Sequence, residues 1–148
     1  MTLRGPSARH GHRCCRADII VCCTTAGAPL FDGSLVADGA CVLAIGSHET
    51  DRRELDSALM GRSAVFVECT TSALAEAGDV TMGIADGTLN AEQLTPIREV
   101  LLGRAARAED RPNVFKGNGM SWQDLVVAAG VPTGSRSLPA GRRLPGRI

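Results

Sequence analysis

Apolar residues along this chain come in short continuous runs separated by small and polar residues. The first run, Ile19-Ile20-Val21-Cys22-Cys23, stops at Thr24-Thr25-Ala26-Gly27. It does not alternate, so the pattern predicts a parallel strand covered on both faces. Turn signals follow at Pro29 and Asp32-Gly33, and a second strand is predicted over Cys41-Val42-Leu43-Ala44-Ile45, closed by Gly46-Ser47. Asp51 and Glu54 have the spacing of a capping box, which predicts a helix from there to about Met60, stopped by Gly61.

Downstream, Ala64-Val65-Phe66-Val67-Glu68 predicts a third strand. Thr70-Thr71-Ser72 reads as the cap of a short helix to Ala77, closed by Gly78. Asp86-Gly87 marks a turn. Thr95-Pro96 opens a helix carrying Ile97, Val100, Leu101 and Leu102, with proline at the first position, where its missing N–H is not needed; Gly103 ends it. Asn113-Val114-Phe115 predicts a last short strand before Lys116-Gly117-Asn118-Gly119. Ser121 and Asp124 then form a second capping box, for a helix to about Ala129.

Strands alternating with helices indicate an α/β parallel sheet, and such sheets bind ligands at the C-terminal ends of their strands. Three segments therefore stand out: Thr24-Thr25, Gly46-Ser47-His48 and Lys116-Gly117-Asn118-Gly119. Each follows a strand. Their small residues let a ligand approach the backbone, whose N–H groups can meet phosphate or carboxamide oxygens.

Composition narrows the picture. The 148 residues are 44% hydrophobic but only 3% aromatic, which suits one globular domain with an aliphatic core. No apolar run reaches the roughly 18–20 residues of a membrane span, and Arg4, Arg9, Arg13 and Arg16 precede no signal-like apolar stretch. The net charge of zero points to neither nucleic acid nor membrane. A cytoplasmic place with reduced cysteines is expected.

The charge is unevenly spread. All 16 acidic residues lie between Asp18 and Asp124, while residues 1–17 and 125–148 carry arginine and no acid. Residues 1–16 therefore read as an unrelated basic leader, residues 17–129 as the folded domain, and residues 130–148 as a disordered tail rich in Gly, Pro and Arg. Within the leader, His10, His12, Cys14 and Cys15 fit no standard zinc spacing, so no metal site is assigned. Ser47 is no nucleophile elbow, since Ile45 and Glu49 stand where glycines are needed. The single tryptophan, Trp122, is expected in packing or an interface.

In order and spacing, these segments resemble the ornithine cyclodeaminase and mu-crystallin family. The resemblance rests on Ala17-Asp18-Ile19-Ile20-Val21 with Thr24-Thr25, Pro29-Leu30-Phe31-Asp32-Gly33, Ala44-Ile45-Gly46-Ser47-His48 and Asp51-Arg52-Arg53-Glu54-Leu55-Asp56. It continues through Leu74-Ala75-Glu76-Ala77-Gly78-Asp79, Glu99-Val100-Leu101-Leu102-Gly103-Arg104 and Val114-Phe115-Lys116-Gly117 with Gly119. Single segments of this kind are weak; together, in register, they are specific.

The resemblance implies the C-terminal part of a doubly wound, mostly parallel Rossmann-type domain that binds NAD or NADP. Complete relatives join it to a dimerisation domain and form homodimers. By the same resemblance, Thr24, Ile45, Gly46, Ser47, Arg52 and Gly117 lie at the cofactor and Asn118 near the substrate, a small imino or amino acid. His48 stands where cyclodeaminases carry a proton-shuttling aspartate. Relatives with Gly-Ser-His here look like imine (ketimine or pyrroline-carboxylate) reductases or amino-acid dehydrogenases, with His48 as the candidate acid/base group.

The sequence contains no G-x-G-x-x-G, so a weak pyrophosphate grip and no activity of the chain alone are expected. Two alternatives stay open. One is ammonia loss from ornithine. The other is a non-catalytic polypeptide that folds with a partner, its first strand exposed as an apolar edge.

Overall fold

The computed structural model describes residues 16–130. Within them β1 (Ile19–Cys22), β2 (Cys41–Ala44), β3 (Ala64–Val67), β4 (Leu94–Pro96) and β5 (Asn113–Lys116) form one sheet of order β1-β2-β5-β3-β4. Every pairing is parallel. Five helices accompany it: α1 (Ser57–Arg62), α2 (Thr70–Glu76), α3 (Gly78–Ala85), α4 (Ile97–Leu101) and α5 (Ser121–Gly130). The expected α/β class and parallel sheet are therefore present. The leader with its His10, His12, Cys14 and Cys15 group lies outside the described residues, apart from Arg16, and so does the tail beyond Gly130.

The core lies on one face of the sheet. Ile20, Val42, Val114, Val65 and Leu94 sit side by side in register, and Cys22, Ala44, Lys116 and Val67 form the next row. Leu55, Leu59, Met60, Ala73, Ala77, Val80 and Leu89 close over them from the helical layer. The other face is covered only in part. There Ile97 and Val100 approach Cys41, Phe66, Asn113 and Phe115 around an open apolar cavity of about 160 Å³. This cavity runs from the first residues of β2 and β5, Cys41 and Asn113, to Phe66 and Phe115 in the third positions of β3 and β5, on the face away from the core.

Several local expectations are corrected. β1 is an edge strand, and Ile19 and Val21 are 66% and 61% exposed, so its continuous apolar run does not mean cover on both faces. The Asp51/Glu54 capping box does not form. Asp56 caps α1 instead, accepting from the Leu59 N–H at 2.7 Å, and Glu54 is buried for another purpose. Gly78 follows the α2 C-cap Ala77 as expected but also opens α3, and a side chain there would strike the Arg52 and Glu49 carbonyls.

Cys69 is the residue before α2, so Thr70, Thr71 and Ser72 form its first turn rather than its cap. Pro96 ends β4 and sits just before α4, not in its first position. At α5 the reach-back comes from Gln123, whose side chain accepts from the Met120 N–H, rather than from Asp124. Trp122 is 55% exposed, and Leu125, Val126 and Val127 beside it are exposed too. No helix among the described residues is long and apolar enough to cross a membrane.

Candidate functional site

The three bends lie at the C-terminal ends of three adjacent strands, β1, β2 and β5. They touch as well as align. A Cβ on Gly46 would collide with the backbone of Thr24, so the tips of β1 and β2 meet where only glycine fits. A Cβ on Gly117 would come within 3.3 Å of Ile45 Cδ1, and the Gly117 N–H donates to Ala44 O at 3.1 Å, joining β2 to the bend after β5. Thr24, Ile45, Gly46 and Gly117 are thus brought together on one rim.

The remaining expected residues are placed with distinct roles. Ser47 is 2% exposed, and its hydroxyl donates to Arg52 O at 2.7 Å. That hydroxyl closes the 47–52 loop. Arg52 donates from Nη1 to Thr25 O at 3.1 Å and pairs through Nε with Glu49 at 2.8 Å. It is a strap across the β1 tip with a half-exposed guanidinium. His48 is exposed, with Nδ1 3.3 Å from Gly46 O. The amide atoms of Asn118, Oδ1 and Nδ2, are buried and make no hydrogen bond. Burying such atoms unsatisfied is costly, so they are natural partners for a polar ligand.

Two carboxylates organise the rim, and neither was recognised in the sequence as a site residue. Glu54 is wholly buried. Its Oε1 accepts from the Thr24 N–H at 2.6 Å and from Thr24 Oγ1 at 2.8 Å, while its Oε2 accepts from the Gly46 N–H at 2.8 Å. Glu68, at the end of β3, accepts through Oε2 from the N–H groups of Asn118 and Gly119 at 3.0 and 2.9 Å, and through Oε1 from Gln123 Nε2 at 3.1 Å. The only hint in sequence was that each acid lies close to a strand end or a predicted cap.

Beneath the rim lies a buried cation. Lys116 donates to Ala44 O at 3.2 Å and Gly117 O at 3.0 Å, and its Nζ is 3.8 Å from Asp79 Oδ2. Asp79 Oδ1 accepts from the N–H groups of Glu54 and Leu55, both at 2.8 Å. Burial pushes the Lys116 ammonium below its usual range, opposed by the nearby charges of Asp79, Glu54 and Glu68. Burial likewise raises the Asp79 carboxyl, opposed by the Leu55 N–H and by Lys116. The arrangement is three bends held by two carboxylates over one ammonium, with the buried, unsatisfied amide of Asn118 beside them. It suits a flat polar ligand laid across the strand tips.

Known proteins share this architecture. A family model described as ornithine cyclodeaminase/mu-crystallin family matches residues 8–134. The chain is 35% identical over 118 residues to the delta(1)-pyrroline-2-carboxylate reductase of Colwellia psychrerythraea, covering 78% of this chain and 37% of that protein. It is 38% identical over 112 residues to the ketimine reductase mu-crystallin of Mus musculus, covering 76% and 34%.

Among solved structures, a probable ornithine cyclodeaminase from Bordetella pertussis superposes with a TM-score of 0.74 at 36% identity, over 80% of this chain and 39% of that one. The iminosuccinate reductase of Paracoccus denitrificans, solved in complex with NAD+, superposes with a TM-score of 0.71 at 29% identity, over 76% and 35%. The chain spans a little over a third of the length of these relatives. Parallel topology, the three bends in register and the family match over most of the sequence lead to one conclusion: the chain belongs to the ornithine cyclodeaminase/mu-crystallin family.

Proposed function

We propose that this chain forms the nicotinamide side of the pocket of an NAD(P)-dependent imine reductase acting on a small cyclic imine or imino acid. The observation that carries the reading is the convergence of Thr24, Ile45, Gly46 and Gly117 at the tips of adjacent strands, with the unsatisfied amide of Asn118 beside them. The rim fits a nicotinamide. Ile45, 41% exposed, offers an apolar contact, with Gly117 packed behind it. Thr24 is exposed at the β1 tip with its N–H and hydroxyl held by Glu54, and Arg52 stands at the margin with its guanidinium half exposed. Asn118 is the group for the substrate, and His48, exposed beside Gly46, is the candidate proton donor.

When bound, the cofactor supplies the hydride. The protein's own part is to hold the ring and the imino acid against each other. A cytoplasmic place is part of the same reading, as is a chain that does not turn over by itself.

The sequence carries no glycine fingerprint for the pyrophosphate, which gives a sharp test. Reduced nicotinamide mononucleotide and NADH should bind the chain with equal affinity in fluorescence titrations, because no glycine fingerprint grips the pyrophosphate that only NADH carries. Absence of binding by either at millimolar concentration, weaker than roughly −4 kcal/mol, defeats the reading.

The likeness to the Bordetella protein supports a second reading, ammonia loss from ornithine with His48 in the acid's place. Complementing the chain with the rest of a family fold separates the two. NADH-dependent reduction of pyrroline-2-carboxylate favours the first, and ammonia release from ornithine the second.

A further inference from the structure

We propose that Glu54 is a positioning residue that sets the width of the pocket, holding the tips of β1 and β2 at a fixed separation. The proposal rests on the nicotinamide reading above. Glu54 is wholly excluded from solvent, yet among the described residues its carboxylate pairs directly with no lysine or arginine. All three of its hydrogen bonds go to the two bends: the Thr24 N–H and hydroxyl on Oε1, and the Gly46 N–H on Oε2. Each oxygen serves one strand tip, so the rigid O–C–O unit becomes the spacer between them.

A buried carboxylate used in this way is expensive unless its charge is compensated. Lys116 supplies the compensation from below: its ammonium lies among Asp79, Glu54 and Glu68 and holds the ends of β2 and β5 through Ala44 O and Gly117 O. The backbone of Glu54 is itself fixed, its N–H donating to Asp79 Oδ1 at 2.8 Å and its carbonyl accepting from the Leu30 N–H at 2.8 Å. The side chain therefore has a firm base. Nearby, Arg52 reinforces the strap by reaching Thr25 O. Glycine at 46 is the counterpart of this arrangement, since any side chain there would wedge apart the two tips that Glu54 draws together.

The consequence concerns geometry rather than bulk stability. An amide in place of the carboxylate has one acceptor oxygen and presents an N–H₂ group to the other bend. Glu54→Gln can keep one tip and must repel the other. Glu54→Asp is a methylene shorter and cannot reach both. Neither change disturbs the hydrophobic rows deeper in the sheet.

The test uses the whole chain and three variants, Glu54→Gln, Glu54→Asp and Leu89→Ala, the last a core truncation that lowers stability away from the rim. Amide hydrogen exchange is read at Thr24, Gly46, Val42 and Val114, and NADH affinity by nicotinamide fluorescence. The expected result is exchange at Thr24 or Gly46 at least tenfold faster in both Glu54 variants with Val42 and Val114 unchanged. NADH affinity should fall at least fivefold, beyond any loss in Leu89→Ala.

Exchange that rises equally at Val42 and Val114 reduces Glu54 to a structural residue and overturns the proposal. So does NADH binding that is unchanged in both Glu54 variants or lowered only as much as in Leu89→Ala. Failure of the unaltered chain to bind NADH is a different result: it removes the nicotinamide reading and the proposal with it. Binding by the unaltered chain with indifferent Glu54 variants removes the proposal alone.

Discussion

Lys116 Nζ lies 3.8 Å from Asp79 Oδ2, with both side chains wholly excluded from solvent. The pair sits between the helical layer and the strand tips, with Asp79 holding the Glu54 and Leu55 N–H groups and Lys116 holding the Ala44 and Gly117 carbonyls. Removing one partner leaves the other charge buried without its counterion, which costs about 3–5 kcal/mol. Lys116→Met and Asp79→Asn should each show a loss of that order in urea unfolding. The double variant should cost clearly less than the two losses added together, because the stranded charge is gone. Simple additivity would mean that the two groups do not act as a pair.

The same lysine makes stability depend on pH at the alkaline end. The unfolded chain's lysine takes up its proton near 10.5, while burial holds the folded one below that value. Between the two values the unfolded state binds more protons, so stability rises with pH in that window and the gain is lost as pH falls through the folded value. Unfolding free energies measured from neutral pH to about 10.5 should climb relative to Lys116→Met, which lacks the group. A parallel pair of curves would count against the assignment. Asp79 acts in the acidic range with the opposite sign: its raised carboxyl gives stability below the ordinary 3.8 that is lost as pH rises through the folded value.

Gly46→Ala should damage both the fold and the pocket. The added methyl group meets the Thr24 backbone rather than a flexible side chain, so the strand tips must separate. Overpacking of this kind costs about 1–3 kcal/mol. A lowered urea midpoint together with lost nicotinamide binding is the expected outcome. Gly27→Ala, where a Cβ meets nothing within 4 Å, is the matching control and should behave like the parent.

Asn118→Ala separates binding from stability. Its amide atoms are buried and make no hydrogen bond among the described residues, so removing them should not lower the unfolding free energy measured in urea. Binding of pyrroline-2-carboxylate to the chain with its nicotinamide should nevertheless weaken severalfold. Isothermal titration reads this directly, and unchanged affinity would remove Asn118 from the site.

At the sheet edge, Ile19→Lys and Val21→Lys should suppress association without harming the fold. Both side chains are mostly exposed on an edge strand whose outer N–H and C=O groups face no neighbouring strand among the described residues. Charges on such an edge discourage pairing with other chains. Sedimentation over a range of concentrations should show less self-association in the variants, with unfolding free energy changed by no more than about 0.5 kcal/mol.

By itself the sequence determined what depends on neighbours along the chain. The apolar runs marked the cores of β1, β2, β3 and β5, the parallel class followed from their alternation with helices, and the small-residue bends after three of them located the rim. Gly103, with a φ of 69°, ends α4 as expected, and Gly87, with a φ of 72°, supports the Asp86-Gly87 turn.

Partners distant in sequence were decided only by the tertiary structure. Glu54 reads locally as a helix cap, yet its carboxylate serves Thr24, thirty positions away; Glu68 serves residues fifty positions on; and Gly78, legible only as a stop, is also the point where Arg52 O passes. Capping spacing and glycine content report on local backbone geometry. Which buried N–H groups a carboxylate satisfies depends on which strand tips the sheet order sets side by side, and β5 enters that order between β2 and β3 from the far end of the domain.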